Sequence, residues 1–388
     1  MSKLVITRKS GRILTALWEP EENRIVQMNF DPDTDQPHVG DIYLGRVQNL
    51  AKNIQAAFVE IAPGQVCYYP LRGDSPRIRS GEELAVQLTR EAVKTKAPVV
   101  SSELSLAGKF VVRMENGGRI AISSKITDSA RREVLRALLA PFAGPEGGFI
   151  CRTNSEHAED AEILAEAEAL SQELAEIREQ AAHRTCFSKL HAGDAVWLTS
   201  IRDTLSESLT DILTDQEDLY PLIRDFLGRH QPEDLGKLSL YQDPLLPLGK
   251  LYRLDHALER ALNRRVWLRS GGYLVIEPTE ALTVIDVNTG KYDGHQDKEE
   301  TFFRTNREAA REIAAQLRLR NLSGIIVIDF IDMEQEEHVQ GLLAELASCL
   351  RRDPVKAVLV DRTRLNLVEV TRKKVRKPLC EQVQQKGE

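Results

Sequence analysis

Three side chains in the C-terminal part of the chain have the types and spacing needed for metal-assisted chemistry. In TVIDVNTG, Asp286 follows an apolar β run and Asn288 comes two residues later. Strand alternation puts both on one face. In IIVIDFIDM, Asp329 interrupts a run of Ile, Val and Phe. A carboxylate there is costly to bury unless it is paired or metal-bound. It sits most economically where the sheet edge opens onto a ligand. Two aspartates from separate strands plus an amide oxygen form an all-oxygen set suited to Mg²⁺, with Mn²⁺ as the alternative. Such an ion polarises a phosphoryl oxygen and activates water for in-line attack. Asp332, three residues past Asp329, points elsewhere as a supporting or structural residue. The competing reading is that arginines such as those of QLRLRN hold Asp286 and Asp329. Pattern alone leaves both readings open.

The elements that must position these groups follow from periodicity. VWLRSGGYLVIEPTEALTVIDVN (266–288) reads as a hairpin turning at SGG and extended by a further strand. Residues 298–320 form a long amphipathic helix, and SGIIVIDFIDM has the near-continuous apolar pattern of a strand buried on both faces. A helix over 338–353 and a strand over 357–363 complete an α/β half that begins near 194. There, DAVWLTS reads as a strand and 219–230 as a helix. The N-terminal half is different. Residues 3–7, 12–18 and 24–30 are short strands, and DPDTDQPHVG (31–40) is a linker. Between 41 and 122, DIYLGRVQNL, IQAAFVEI, VCYYPL, ELAVQLTR and FVVRM are five short strands, the pattern of a small OB-type barrel. A helix starts at 128 with Asp128 as N-cap, FICRTN is a strand entering a turn, and 155–185 is one long acidic helix.

The 388 residues suffice for two to four domains. The net charge of −7 argues mildly against a nucleic-acid partner, but binding responds to local clusters rather than to the sum. Basic residues are segregated: ten Lys or Arg face three acids between Arg351 and Lys377, and Lys94, Lys96, Lys109, Arg113, Arg119 and Lys125 form another cluster. Either group could track phosphates. The five cysteines are far apart with no CxxC spacing, so neither a disulfide framework nor a structural zinc site is expected. The N-terminus lacks a signal-like apolar core, and no apolar run approaches a membrane span, which makes cytoplasmic the expected location.

The strings EALTVIDVNTG and REIAAQLRLRNLSGIIVIDFIDM resemble the DNase I-like catalytic subdomain of the RNase E/G family. The likeness extends over nearly the whole chain. DIYLGRV, QAAFVEI and YYPL resemble that family's S1-type OB barrel, while LSLAGKFVV and FICRTN resemble its 5′-phosphate sensor. The resemblance implies an α/β (α+β multidomain) fold. An RNase H-like segment (1–39 and 199–262) is split by the barrel (40–104) and the sensor (105–198), followed by the catalytic subdomain (263–377) and a tail (378–388). It implies that Asp286 and Asp329 hold the catalytic Mg²⁺ and that Asn288 orients the site.

The same resemblance assigns RNA contacts. Phe58, Tyr68 and Lys96 match an aromatic pair and a lysine that bind bases; from pattern alone Phe58 fits barrel core equally well. Arg152 and Thr153, with backbone groups of Gly108 and Val112, match the pocket for a 5′-monophosphate, although an Arg-Thr at a strand end is by itself an ordinary turn. Lys356 sits where the family usually has an arginine, and a lysine supplies charge without a bidentate fork. Ser124, before Lys125, replaces a commonly basic residue. The family's CPxC zinc-link and small dimerisation domain find no counterpart here beyond Cys380. Zinc is therefore not expected, and a homodimer, if formed, would lack that link. The resulting expectation is a Mg²⁺-dependent endoribonuclease that cuts single-stranded RNA in rRNA and mRNA processing and turnover, leaving 5′-phosphate and 3′-hydroxyl ends. The alternatives are a non-catalytic RNA-binding or rRNA-maturation factor, and a phosphodiesterase of another substrate.

Overall fold

A computed structural model describes residues 2–33, 37–71, 78–92, 97–144, 147–203, 209–290 and 298–384. The chain forms two compact units. One comprises Met1–Asp33, Glu207–Leu222 and Lys237–Glu388; the other comprises Thr34–Ser206 and Ile223–Gly236.

The first unit holds two sheets. Strand Ser2–Lys9 lies between Arg12–Glu19, antiparallel, and Leu209–Thr214, parallel, so a sequence-distant segment completes the N-terminal meander. The outer strands are Arg24–Pro32 and Leu238–Leu240. The second sheet has the order Arg265–Trp267, Tyr273–Pro278, Leu282–Asn288, Gly324–Asp329, Val368–Arg372, Ala357–Arg362. Helices Lys298–Leu319 and Glu336–Arg351 cover one face of it. Leu274, Ile276, Ile285, Val287, Ile326 and Ile328 from the strands pack with Ala309, Ile313, Leu317, Leu342 and Leu346 from the helices. Removing this apolar surface from water, at about 25 cal/mol per Å², is the main force holding the sheet on its helices.

The second unit contains a closed barrel. Ile42–Ala51 pairs with both Ala56–Ala62 and Glu83–Arg90, while Val99–Ser101 bridges Gln65–Pro70 and Glu83–Arg90. Closure leaves no long exposed edge. A separate four-stranded sheet runs Ile120–Ile122, Gly148–Cys151, Val111–Met114, Ser105–Ala107. The acidic helix Asp160–His183 packs on it through Ile163, Ala167, Leu170, Leu174 and Ile177, at alternating spacings of four and three. Asp128 caps helix Ser129–Leu139 by accepting from the Ala130 amide. Among the described residues no helix is long and apolar enough to cross a membrane.

Three sequence expectations are corrected. FVVRM belongs to the four-stranded sheet, and the fifth barrel strand is instead Val99–Ser101. DAVWLTS supplies the start of helix Val196–Asp203; Trp197, Leu198 and Ile201 are buried together at helical spacing, so packing overrode local β propensity. Strand Gly324–Asp329 is buried on one face only. Ile326 and Ile328 are inside, while Ile325 and Asp329 are exposed.

Candidate active site

The open face of the six-stranded sheet carries the acidic pair. Asp286 and Asp329 are direct register partners on adjacent parallel strands, so both carboxylates rise from the same side. Both residues are exposed, although the apolar run before Asp329 read as a strand buried on both faces. Asn288 is half-buried on the same face and donates through Nδ2 to Asp286 Oδ2 at 2.7 Å. The carboxyl of Asp329 is pushed above the usual carboxylate range, first by desolvation against the sheet surface and then by the charges of Asp286 and Asp332.

No cation among the described residues pairs with Asp286 or Asp329. Of the arginines of QLRLRN, Arg320 donates to Gln316 Oε1 at 2.6 Å and toward the Arg260 carbonyl. Two like charges in register, without a cation, are a standing electrostatic penalty that a divalent ion would relieve. The donor set is two carboxylates with an amide alongside. Among the described residues no group of three or more His, Cys, Asp or Glu side chains could hold an ion. A sparse all-oxygen set of this kind fits magnesium, which keeps much of its water shell.

The supporting contacts were not legible in the sequence. Asn306, fully buried on helix Lys298–Leu319, clamps the backbone just past Asp329. Its Nδ2 donates to the Ile331 carbonyl at 2.8 Å, and its Oδ1 accepts from the Ile331 amide at 3.1 Å. The available signal was an amide side chain on the apolar stripe of an amphipathic helix. Asn366 donates to Asp332 Oδ1 at 3.1 Å, which gives Asp332 a structural partner. At the SGG turn, a Cβ on Gly272 would come within 2.7 Å of the Asn288 carbonyl oxygen, so only glycine allows the hairpin to approach Asn288 so closely.

In the barrel, Phe58 and Tyr68 are register partners on neighbouring strands, half-buried, with ring centroids 6.3 Å apart in an edge-to-face arrangement. Tyr69 turns inward and hydrogen-bonds Ser102 through its hydroxyl at 2.7 Å. Lys96 lies outside the described residues. Lys125 is half-buried at the end of the Ile120–Ile122 segment, and Lys356 is exposed just before strand Ala357–Arg362.

In the four-stranded sheet, Arg152 donates to the Gly108 carbonyl at 2.7 Å, and the Thr153 hydroxyl lies 3.1 Å from that of Ser123. The Gly108 amide donates to the Val111 carbonyl at 2.8 Å. Val112 lies half-buried in the middle strand, paired with Ile150 and Ala107. Glu166 is the organiser that sequence reading missed. Its carboxylate accepts from the amides of Lys109, Phe110 and Val111 at 2.5, 2.8 and 2.8 Å. A Cβ on Gly108 would fall 2.2 Å from that carboxyl carbon, so a side chain there would push the Glu166 carboxylate off its amides. Burial nevertheless pushes the Glu166 carboxyl upward, against the pull of the three amides. Two members of the expected phosphate-tracking cluster are structural instead. Lys109 is buried in a pairing with Glu233 and Asp234, and Arg113 is buried over the Phe149 ring at 4.9 Å.

The profile of the Ribonuclease E/G family matches residues 105–375. The chain belongs to the ribonuclease E/G family. Relatives include Ribonuclease G of Haemophilus influenzae, 34% identical over 93% of this chain and 79% of the relative, and Ribonuclease G of Escherichia coli K12, 32% identical over the same shares. Ribonuclease E of Synechocystis is 32% identical over 96% of this chain and 57% of its own length. Family membership agrees with the α/β architecture and its closed barrel, and the matched region includes both aspartate strands.

Proposed function

We propose that the chain is a Mg²⁺-dependent endoribonuclease that hydrolyses single-stranded RNA in rRNA and mRNA processing and turnover, leaving 5′-phosphate and 3′-hydroxyl ends. The observation that carries this reading is the in-register pair Asp286 and Asp329, which no cation among the described residues offsets, in a chain whose relatives are named ribonucleases. Asp286 and Asp329 would hold the ion, Asn288 keeps Asp286 oriented, and Asn306 fixes the backbone that follows Asp329. Bound there, magnesium supplies Lewis acidity toward a phosphoryl oxygen and lowers the pKa of water. Phe58 and Tyr68 offer half-exposed aromatic faces for bases, each stacking contact being worth about 1–3 kcal/mol. Lys125 and Lys356 supply phosphate charge, as would Lys96. Arg152 and Thr153, beside the Gly108–Val112 turn, would read a 5′-monophosphate.

The test is cleavage of a short unstructured RNA carrying a 5′-monophosphate or a 5′-hydroxyl, in Mg²⁺ and in EDTA. The double variant Asp286→Asn, Asp329→Asn serves as control. Metal-dependent cutting that the variant lacks, by about a thousandfold or more, is the expected result for a lost metal centre. Equal rates on the two RNAs would remove the sensor role of Arg152 and Thr153 and leave the nuclease standing. Salt-sensitive binding without cutting would replace the reading with a binding module.

A further inference from the structure

Trp267 is 61% exposed, far more than Trp197, which is buried at 5%. It stands on edge strand Arg265–Trp267, opposite Tyr273, with ring centroids 5.2 Å apart and planes tilted by 58°. The guanidinium of Arg265 lies 4.5 Å from the Tyr273 ring and 5.7 Å from that of Trp267. An indole left in water on an edge strand, beside a half-buried tyrosine of the next strand, forfeits the burial that normally justifies such a ring.

Register places this cluster on the same open face as the acids. Tyr273 is the direct partner of Asn288, and Trp267 is the direct partner of Tyr273. One pair along, Arg265, Val275, Asp286 and Asp329 form a single row across four strands. With strands about 4.8 Å apart, the Tyr273 backbone is one strand and the Trp267 backbone two strands, or about 10 Å, from that of Asn288. That is within reach of a base attached to, or next to, a phosphate held at the carboxylates. The charge order suits the same occupant. Asp286 and Asp329 need a cation, and Arg265 offers a cation to the neighbouring backbone phosphate while ordering the two rings.

We infer that Trp267 and Tyr273, ordered by Arg265, form a base-stacking platform that holds the nucleotide beside the scissile phosphate. The inference rests on the endoribonuclease reading for what lies at Asp286 and Asp329. Stacking is sequence-tolerant because every base has a π face, so the platform sets the register of the strand on the acids more than the identity of the base.

The experiment is a cycle between side chain and nucleobase in the full-length chain. An RNA with one mapped cleavage site is made intact and with a single abasic residue walked through the positions flanking that site. In the unaltered protein, one flanking abasic position is expected to lower kcat/KM about tenfold. Trp267→Ala should slow cleavage of the intact RNA by a similar factor and erase the intact-to-abasic ratio, and Trp267→Phe should restore most of both. A merely structural tryptophan would leave that ratio unchanged in Trp267→Ala, and this result overturns the inference while the nuclease reading stands. A second readout needs no cleavage: the fluorescence of Trp267 in EDTA, titrated with the same RNA. If the unaltered protein cuts nothing, the nuclease reading falls. Saturable quenching that Trp267→Phe removes would still support stacking, and absence of quenching would end it.

Discussion

Carboxylates play opposite parts in two regions of this molecule. On the four-stranded sheet, Glu166 is saturated by three amides, and Lys109 is closed in by Glu233 and Asp234. On the six-stranded sheet, Asp286 and Asp329 share a register position, and among the described residues neither has a cationic partner; the Asn288 amide donates to Asp286. Even within the same unit, Asp353 is fully matched: Arg372 grips it at 2.8 and 3.2 Å while donating also to Asn321 and Leu322. Charges whose partners lie in the fold are structure. The acids raised on the open face have no cationic partner among the described residues, which is what the proposed metal role requires.

Stability measurements sharpen this contrast because they should change sign between the regions. Glu166→Ala leaves three amides without their acceptor, at about 1–3 kcal/mol for each buried donor, so a loss of about 4 kcal/mol in denaturant unfolding is expected. Asp329→Asn, measured the same way in EDTA, should not destabilise the protein, since it removes a carboxylate whose charged form is disfavoured. If both variants lose stability equally, the distinction between a structural and a ligand-directed acid fails.

Magnesium gives the next largest effect. An ion at one hundred times its dissociation constant should stabilise the folded chain by about 2.7 kcal/mol, read as a rise in Tm. Asp286→Asn and Asp329→Asn should each abolish the rise, whereas Glu166→Gln should keep it. A rise that persists in both aspartate variants would place the ion elsewhere.

The smallest expected effect comes from Glu345, on the helix covering the sheet. Arg311 and then Arg307 hold its carboxyl well down, at about 2 against an ordinary 4.5. Because the folded value is depressed, the stabilisation is present above about pH 4.5 and is lost as pH falls toward 2. Both arginines are more than a third exposed, so water screens the pairs, and Glu345→Gln should cost only about 1 kcal/mol at pH 7. The gap between variant and unaltered protein should close as pH falls through that window in thermal unfolding.

Much of this molecule could be read from residues alone. That Asp286 and Asn288 share one face of a strand could be read from the Asp-x-Asn spacing, because alternation in a strand is local geometry. The amphipathic helices were legible for the same reason. What a strand faces is not local, and tertiary structure decided it. The apolar run before Asp329 read as buried on both sides, yet both helices pack on a single face and leave Ile325 and Asp329 open. The pairing of Asp286 with Asp329, the Asn306 clamp and the meeting of Trp267 with Tyr273 depend on which strands become neighbours. The segment from Val196 became a helix because Trp197, Leu198 and Ile201 had a core to enter. Residue type and spacing determined which side chains share a strand face; long-range packing decided which strands became neighbours, and therefore that Asp286 and Asp329 meet on the open side of the sheet.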